Sequence, residues 1–369
     1  MRIVLTGGGT GGHLYPLVTV AKKIKEKREG VEFLYLGLKK ELEKKIMNEN
    51  SIEMKYVMSG KFRRYASLMN FIDIFKIPIG IIQALWHLLW YMPDAIFSKG
   101  GYASIPVVFA GWLYRIPILT HESDSIPGVA NRIIGKFSNR IAISYPRAER
   151  YFLKTKVYLT GNPVREQILN GDRDACYHKF SLTESRPVIL VLGGSQGARA
   201  INESIVNALN DIVKVAQVIH QTGENNYKEV IHKIRSVGIK EFRDNYYPVP
   251  FLEVDDLSNA FATANIVISR AGANSIAEIA ANKKPAILIP LSTSANNHQK
   301  MNAYSLAEEG GAIVLEESNL GKHILLQKIK KIIENEDFRK KLSENIAKFY
   351  HKDAGDKIAV GIIDLIEGV

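Results

Sequence analysis

The chain has 369 residues, a length that predicts two domains or one large one. Apolar residues make up 46% and charged residues 24%, which permits a sizeable core and excludes general disorder. Lys and Arg number 49 against 38 Asp and Glu, and the resulting net charge of +11 suits an anionic partner: nucleic acid, acidic lipid or a phosphorylated substrate. The single cysteine, Cys176, excludes a disulfide framework and any multi-cysteine metal site.

Arg2 to Thr6 reads as a short buried strand and is followed by GGGTGGH at Gly7 to His13. The apolar run before the glycines is too short for a signal peptide, so the cytoplasm is the expected compartment. A helical pattern comes next, with Leu14, Leu17, Val18, Ala21 and Ile24 on one face, cations crowding its end, and Gly30 closing it. Val31 to Gly37 is a second strand. Gly7 to Gly12 matches G-x-G-x-x-G in a strand–loop–helix setting, where glycines let backbone N–H groups approach phosphate oxygens and the helix N-terminus adds positive charge. The plainer alternative is a tight turn. A nicotinamide cofactor would want a carboxylate at the end of the second strand, but Gly37, Leu38, Lys39 and Lys40 stand there. His13, at the helix start, can donate to a phosphate or accept a proton, or be structural.

Ile77 to Met92 is mostly apolar but is interrupted by Pro78, Gly80, Gln83 and His87, short of the roughly 20 residues a spanning helix needs. Lys61, Arg63, Arg64 and Lys99 flank a segment carrying Phe71, Ile74, Phe75, Trp86, Leu89 and Trp90. This composition fits either an ordinary core helix or a segment lying on an anionic bilayer surface. HESDSIPG, His121 to Gly128, follows a strand at Ile118 to Thr120. Its Glu122 and Asp124 can serve as a general base, or Asp124 can cap the next helix. GNPVR brings Arg165, well matched to a diphosphate, to the expected domain boundary near Asn162–Pro163. Asn170 to Pro187 reads as a polar connecting loop. Its D-R-D at Asp172 to Asp174 reads as solvated rather than metal-binding.

The grammar then repeats. Val188 to Leu192 is a strand, GGSQGAR follows with Gly193, Gly194, Ser195 and Gly197, and a helix runs through Ala200 to Leu209. Val215 to His220 and Ile266 to Ser269 are further strands, the latter leading into RAGANSIAEIAA, and Pro285 to Pro290 is another. Strands alternating with helices imply parallel sheets, and two Gly-rich starts imply two Rossmann-like domains, residues 1–163 and 164–344. The helical segment at about 345–369 can pack back on the first. Ligands of such sheets bind beyond the carboxyl ends of the strands, which predicts a shared cleft. Glu278 can bind two ribose hydroxyls, and His298 and Gln299 sugar hydroxyls; each could equally be a surface contact. The basic residues are not interleaved with aromatics, which disfavours nucleic acid.

GGGTGGH, GGYASIP, HESDSIPG, GNPVR, GGSQGA, SRAGANSIAE and NNHQ occur in this order, and with them the chain closely resembles the MurG family of bacterial glycosyltransferases over nearly its whole length. The resemblance implies an α/β fold of GT-B type, two Rossmann-like domains facing a central cleft. It implies inverting transfer of N-acetylglucosamine from UDP-GlcNAc to the C4 hydroxyl of the muramyl sugar of lipid I, giving lipid II for the cell wall. By the same resemblance the second half binds the donor. Main-chain groups near Phe251 and Leu252 would hold uracil, Glu278 the ribose, and Gly194, Ser195 and Arg165 the diphosphate, with Ala273 and Asn274 beside them. His298 and Gln299 would meet the sugar. Thr10, Gly11 and Gly12 would line the donor-sugar side of the cleft. Gly8, Gly9, His13, Gly101 and Tyr102 would face the acceptor, and Phe75, Trp86 and Trp90 the membrane. The base stays open among Glu122, His13 and Asp124.

No cofactor and no obligatory metal are expected. The implied location is the cytoplasmic face of the cell membrane, peripherally bound, with UDP-GlcNAc, lipid I, an anionic membrane surface and other cell-wall synthesis proteins as partners. Two departures are visible: Asp124 stands where the family commonly has Asn, and Asn297 where an acidic residue is usual. Alternative readings are a soluble UDP-sugar epimerase of the same fold and a non-catalytic nucleotide-sugar binding protein.

Overall fold

In the computed structural model of the chain, which describes residues 1–8, 11–60, 68–194, 197–236 and 244–368, the apolar runs of the sequence become strands buried on both faces. The first unit comprises residues 1–164 and 351–369. Its elements are β1 (Arg2–Thr6), α1 (Gly11–Lys27), β2 (Glu32–Gly37), α2 (Glu41–Glu49), β3 (Glu53–Tyr56), α3 (Leu68–Tyr91), β4 (Ala95–Ser98), α4 (Ile105–Leu113), β5 (Ile118–Glu122), α5 (Val129–Phe137), β6 (Arg140–Ile143) and β7 (Val157–Leu159). The seven strands form one parallel sheet in the order β3-β2-β1-β4-β5-β6-β7.

Alternate residues of each strand feed different cores. Ile3, Leu5, Phe97 and Leu119 pack with Leu14, Leu17 and Ile24 of α1. Val4, Ile96 and Ile118 pack on the opposite face with Val107, Val108 and Ile134 of α4 and α5. A sheet covered on both sides reads as continuous hydrophobic strands, which is why these were legible.

The second unit, residues 165–350, contains α6 (Arg173–Phe180), β8 (Val188–Leu192), α7 (Arg199–Ile212), β9 (Gln217–Gln221), α8 (Glu224–Ser236), β10 (Tyr246–Val249), α9 (Val254–Thr263), β11 (Ile266–Ser269), α10 (Ala273–Ala281), β12 (Ala286–Leu288), α11 (His298–Glu308), β13 (Ile313–Val314), α12 (Lys322–Glu334) and α13 (Glu336–Ala347). Its six strands run β10-β9-β8-β11-β12-β13, all parallel. The stretch expected as a polar loop holds α6. Asp172 is its N-cap, accepting from the Asp174 and Ala175 amides at 2.8 and 3.1 Å. The D-R-D pattern is thus a capping device, typically worth about 1 kcal/mol.

The chain then returns to the first unit as α14 (Ala354–Glu367). Ile358, Ala359 and Ile362 are buried in the core that α1 also covers. Lys27 and Arg28 meet Asp356 and Glu367 at 2.7 Å each, while Arg140 reaches the Gly361 carbonyl. The two buried isoleucines outweigh these surface ion pairs: a buried Ile contributes about 1.5–3 kcal/mol, an exposed pair about 0–1.

Candidate functional site

In the first unit the chemistry gathers at the carboxyl ends of β1, β4 and β5. The Gly loop leaves β1 at Gly7, whose carbonyl accepts from the Tyr35 hydroxyl. Gly8 is buried, and a Cβ there would sit 3.1 Å from that of Ala103. Gly9 and Thr10 lie outside the described residues, and Gly11 and Gly12 open α1. His13 is partly accessible, and its Nδ1 lies 3.3 Å from the Gly100 carbonyl. A carbonyl only accepts, so Nδ1 carries the proton and Nε2 the lone pair. Burial, then the charge of Lys99, pushes the His13 pKa down to about 4; Asp124 works the other way.

The Gly100–Gly101 turn beside His13 has φ of +83 and +82, and a Cβ on Gly101 would come within 3.1 Å of the imidazole Cε1. Glycine is required by both the backbone and the close approach. Gly101 N donates to Asn131 Oδ1 at 2.9 Å, and Asn131 Nδ2 donates to Glu122 Oε2 at 2.8 Å. The Asp124 amide takes Glu122 Oε1 at 2.8 Å. Glu122 is therefore only 2% exposed, with both oxygens engaged. Burial and the Asp124 charge nevertheless push its pKa up to about 7. Asp124 is not the N-cap of α5: that position is Gly128, without a side-chain cap bond. Tyr102 lends its carbonyl to the Ser59 hydroxyl at 2.6 Å. His121 Nε2 sits 3.0 Å from the Gly161 carbonyl, which ties the end of β5 to the GNPVR turn.

The second unit repeats the arrangement. Gly193 and Gly194 leave β8; Ser195 lies outside the described residues. Gly197 has φ +76, and a Cβ there would lie 2.6 Å from the Thr222 carbonyl. The N-caps of α7 and α10 are Ala198 and Gly272, neither of which makes a side-chain cap bond. Arg165 Nη2 donates to Glu278 Oε1 at 2.8 Å, both side chains being largely buried. Phe251 is exposed, and Leu252 is buried with its amide 3.0 Å from Gln221 Oε1. That amide, one of the main-chain groups expected near uracil, is thus held by Gln221, which also reaches the Gly194 carbonyl at 3.5 Å. Gln299 Oε1 accepts from the Leu291 amide, and His298 opens α11. Among the described residues, no group of three or more His, Cys, Asp and Glu is placed to hold a metal ion.

On α3, Trp86 and Trp90 are 60% and 68% exposed with ring centroids 5.6 Å apart, and Ile82 and Leu89 are exposed beside them. The Phe75 side chain lies outside the described residues. Among the described residues no helix is long and apolar enough to cross a membrane. Asn131 and Gln221 were not singled out by sequence, because they act through side-chain bonds between distant loops. Lys99 was expected as a basic flank of the α3 segment on a membrane surface, but it is only 1% exposed and sits at the end of β4.

Two parallel-sheet α/β units, each with a Gly loop at the carboxyl ends of its strands, match in turn the glycosyltransferase family 28 N-terminal domain over residues 3–143 and the family 28 C-terminal domain over residues 188–358. The protein is a glycosyltransferase of that class. A UDP-N-acetylglucosamine–N-acetylmuramyl-(pentapeptide) pyrophosphoryl-undecaprenol N-acetylglucosamine transferase of Clostridium tetani is 36% identical over 367 residues, covering 99% of this chain and 97% of that one. Its namesake in Bacillus subtilis is 34% identical over 360 residues, 97% and 98% of the two chains. The chain belongs to this transferase family. The crystal structure of Acinetobacter baumannii MurG superposes with a TM-score of 0.76 at 24% identity, over 98% and 99% of the chains. A UDP-GlcNAc 2-epimerase from Neisseria meningitidis gives 0.70 at 13%, over 99% and 100%, which reflects the shared fold.

Proposed function

We propose that the protein moves N-acetylglucosamine from UDP-GlcNAc to the muramyl sugar of a lipid-linked pentapeptide pyrophosphate, with inversion. The reading is supported by family membership over the whole chain and by one observation in particular: His13 is neutral, with Nδ1–H fixed on Gly100, so that Nε2 offers a lone pair beside the Gly101 turn. The acceptor C4 oxygen attacks C1 of the donor sugar and its proton passes to His13 Nε2. The bond from C1 to the phosphate oxygen breaks, and UDP departs with the electron pair. Asp124, whose charge favours the protonated ring, steadies the imidazolium. Glu122 orients: through Asn131 it fixes the Gly101 amide and hence the turn on which His13 rests.

In the second unit, Arg165 and the amides of the 193–197 loop and of the first turn of α10 take the charge developing on the diphosphate. Well-placed donors of this kind are worth about 2.7–4 kcal/mol each, enough for a metal-independent reaction. Glu278 meets the ribose, Phe251 and Leu252 flank the uracil, and His298 and Gln299 the sugar. Trp86, Trp90 and their neighbours on α3, in a chain of net charge +11, are read as a seat on an anionic membrane surface, which makes the protein peripheral.

A radiolabelled UDP-GlcNAc assay with a lipid I analogue tests the reading. Label in a lipid-linked disaccharide is expected. Epimerised UDP-sugar without an acceptor, or tight UDP binding without transfer, would replace it with the epimerase or binding-protein alternatives.

A further inference from the structure

Lys99 follows β4 immediately, and its amide donates to the Thr6 carbonyl at 2.8 Å, fastening it to the root of the first Gly loop. The register places Ser98 beside Thr6 on one side and Thr120 on the other, so Lys99 stands between Gly7 and His121. It continues the alternation that turns Ala95 and Phe97 toward α1. Its Cβ lies 3.0 Å from where a Cβ on Gly7 would be. The side chain is only 1% exposed, and among the described residues its ammonium makes no hydrogen bond or ion pair. The carboxylates whose charge reaches it are Glu122 and Asp124, and Glu122 has both oxygens taken by the Asp124 amide and Asn131.

An ammonium largely withdrawn from water without a contacting acceptor is costly, and buried charges are as a rule paired. The surroundings favour an anion rather than another cation. The first turn of α1 contains no acidic residue, and its N-terminus carries the positive end of the helix dipole. The charge of Lys99 is felt by His13 and His121 on either flank.

We propose that Lys99 is the cation that grips the diphosphate of the lipid-linked acceptor, beneath the N-terminus of α1 and beside His13. The inference rests on the acceptor lying at this loop, as the proposed function has it. Burial brings the Lys99 pKa down to about 8, against the pull of Glu122 and Asp124, so the group is charged at neutral pH before any ligand arrives.

The test is calorimetric titration of the full-length protein and of Lys99→Met with farnesyl diphosphate and, separately, with UDP. Methionine keeps the unbranched stem and removes the charge; Lys99→Gln is a second variant, and matched thermal midpoints verify folding. The expected result is a loss of about ten- to a hundredfold in farnesyl diphosphate affinity, the range for a bond to a charged group, with UDP affinity unchanged. The KM for a lipid I analogue should rise by the same factor while the KM for UDP-GlcNAc holds. Unchanged farnesyl diphosphate binding overturns the proposal, as does a loss confined to UDP, which would assign the cation to the donor diphosphate. An unaltered acceptor KM with only a shifted pH profile also overturns it, leaving Lys99 as a modulator of His13. Because binding is read without turnover, a failure of transfer would remove the transferase reading and leave this result standing.

Discussion

Arg165 and Glu278, 113 positions apart in the chain, form an ion pair of 2.8 Å in the second unit, with side chains 13% and 17% exposed. Sequence reasoning assigned them to different parts of one ligand, diphosphate and ribose. The structure adds that each orients the other. Glu278→Ala is therefore expected to weaken UDP binding by about tenfold or more and also to loosen Arg165. In a double-mutant cycle with Arg165→Ala the two losses should add to less than their sum. Full additivity in UDP titrations would mean that the pair does not act as a unit.

His13→Gln should lower kcat by about 10²–10⁴-fold and leave UDP affinity near its starting value. The ring is depressed to about 4, so its proton-accepting form persists well below the usual histidine range. The acid limb of His13 in a kcat/KM profile should accordingly fall near pH 4 and not near 6.5. Near-normal turnover in the variant would shift the base to Asp124 or Glu122.

Asn131→Ala leaves Glu122 and the Gly101 amide without their shared partner. Turnover should drop by about tenfold or more with unchanged UDP affinity, since Asn131 lies in the first unit and touches the turn behind His13. Glu122→Gln keeps a hydrogen-bonding side chain and should be milder than His13→Gln. If Glu122→Gln is the more damaging of the two, Glu122 is the base.

His220 is fully buried, its Nε2 donating to Asn202 Oδ1 at 3.0 Å and its Nδ1 accepting from the Tyr246 hydroxyl at 2.7 Å. Burial holds its pKa down at about 3, against 6.5 in the unfolded chain. Between these values the unfolded state binds the extra proton, so stability rises with pH up to about 6.5 and is lost as pH falls from there toward 3. From pH 6.5 to pH 5 the contribution is up to about 2 kcal/mol. The thermal midpoint of His220→Gln should start lower at pH 7 and change less between pH 7 and pH 5 than that of the parent chain. A parallel decline in both proteins would remove His220 as the source.

Trp90→Ser should reduce sedimentation with anionic vesicles by about tenfold or more, with added salt weakening what remains, and should barely move the thermal midpoint because the ring is exposed. Activity on a soluble acceptor analogue should survive both this change and an excess of EDTA. Vesicle binding equal to that of the parent would take the membrane seat away from α3, and collapse of turnover under chelation would end the metal-independent reading.

The two strand–Gly loop–helix units could be read directly, because strands covered on both faces, such as Val188–Leu192, are written as unbroken apolar runs. The α6 helix could not: its hydrophobic side is only Cys176 and Phe180, and the capping Asp172 resembles a loop residue. The same holds for the site. His13, Glu122, Arg165 and Glu278 sit in recognisable motifs. That Glu122 is bound on both oxygens, or that Gln221 occupies the Leu252 amide, depends on side chains meeting across loops, and no periodicity encodes such meetings.

The docking of α14 has a consequence for how the protein is made. Ile358 and Ile362 close a core whose other walls, Leu5 and Leu17, leave the ribosome first. Throughout translation of the second unit the opening lobe must wait with part of its apolar wall bare. Its last fastening is a segment made only after the whole second unit, so a chaperone guarding that wall would find its client early and release it late.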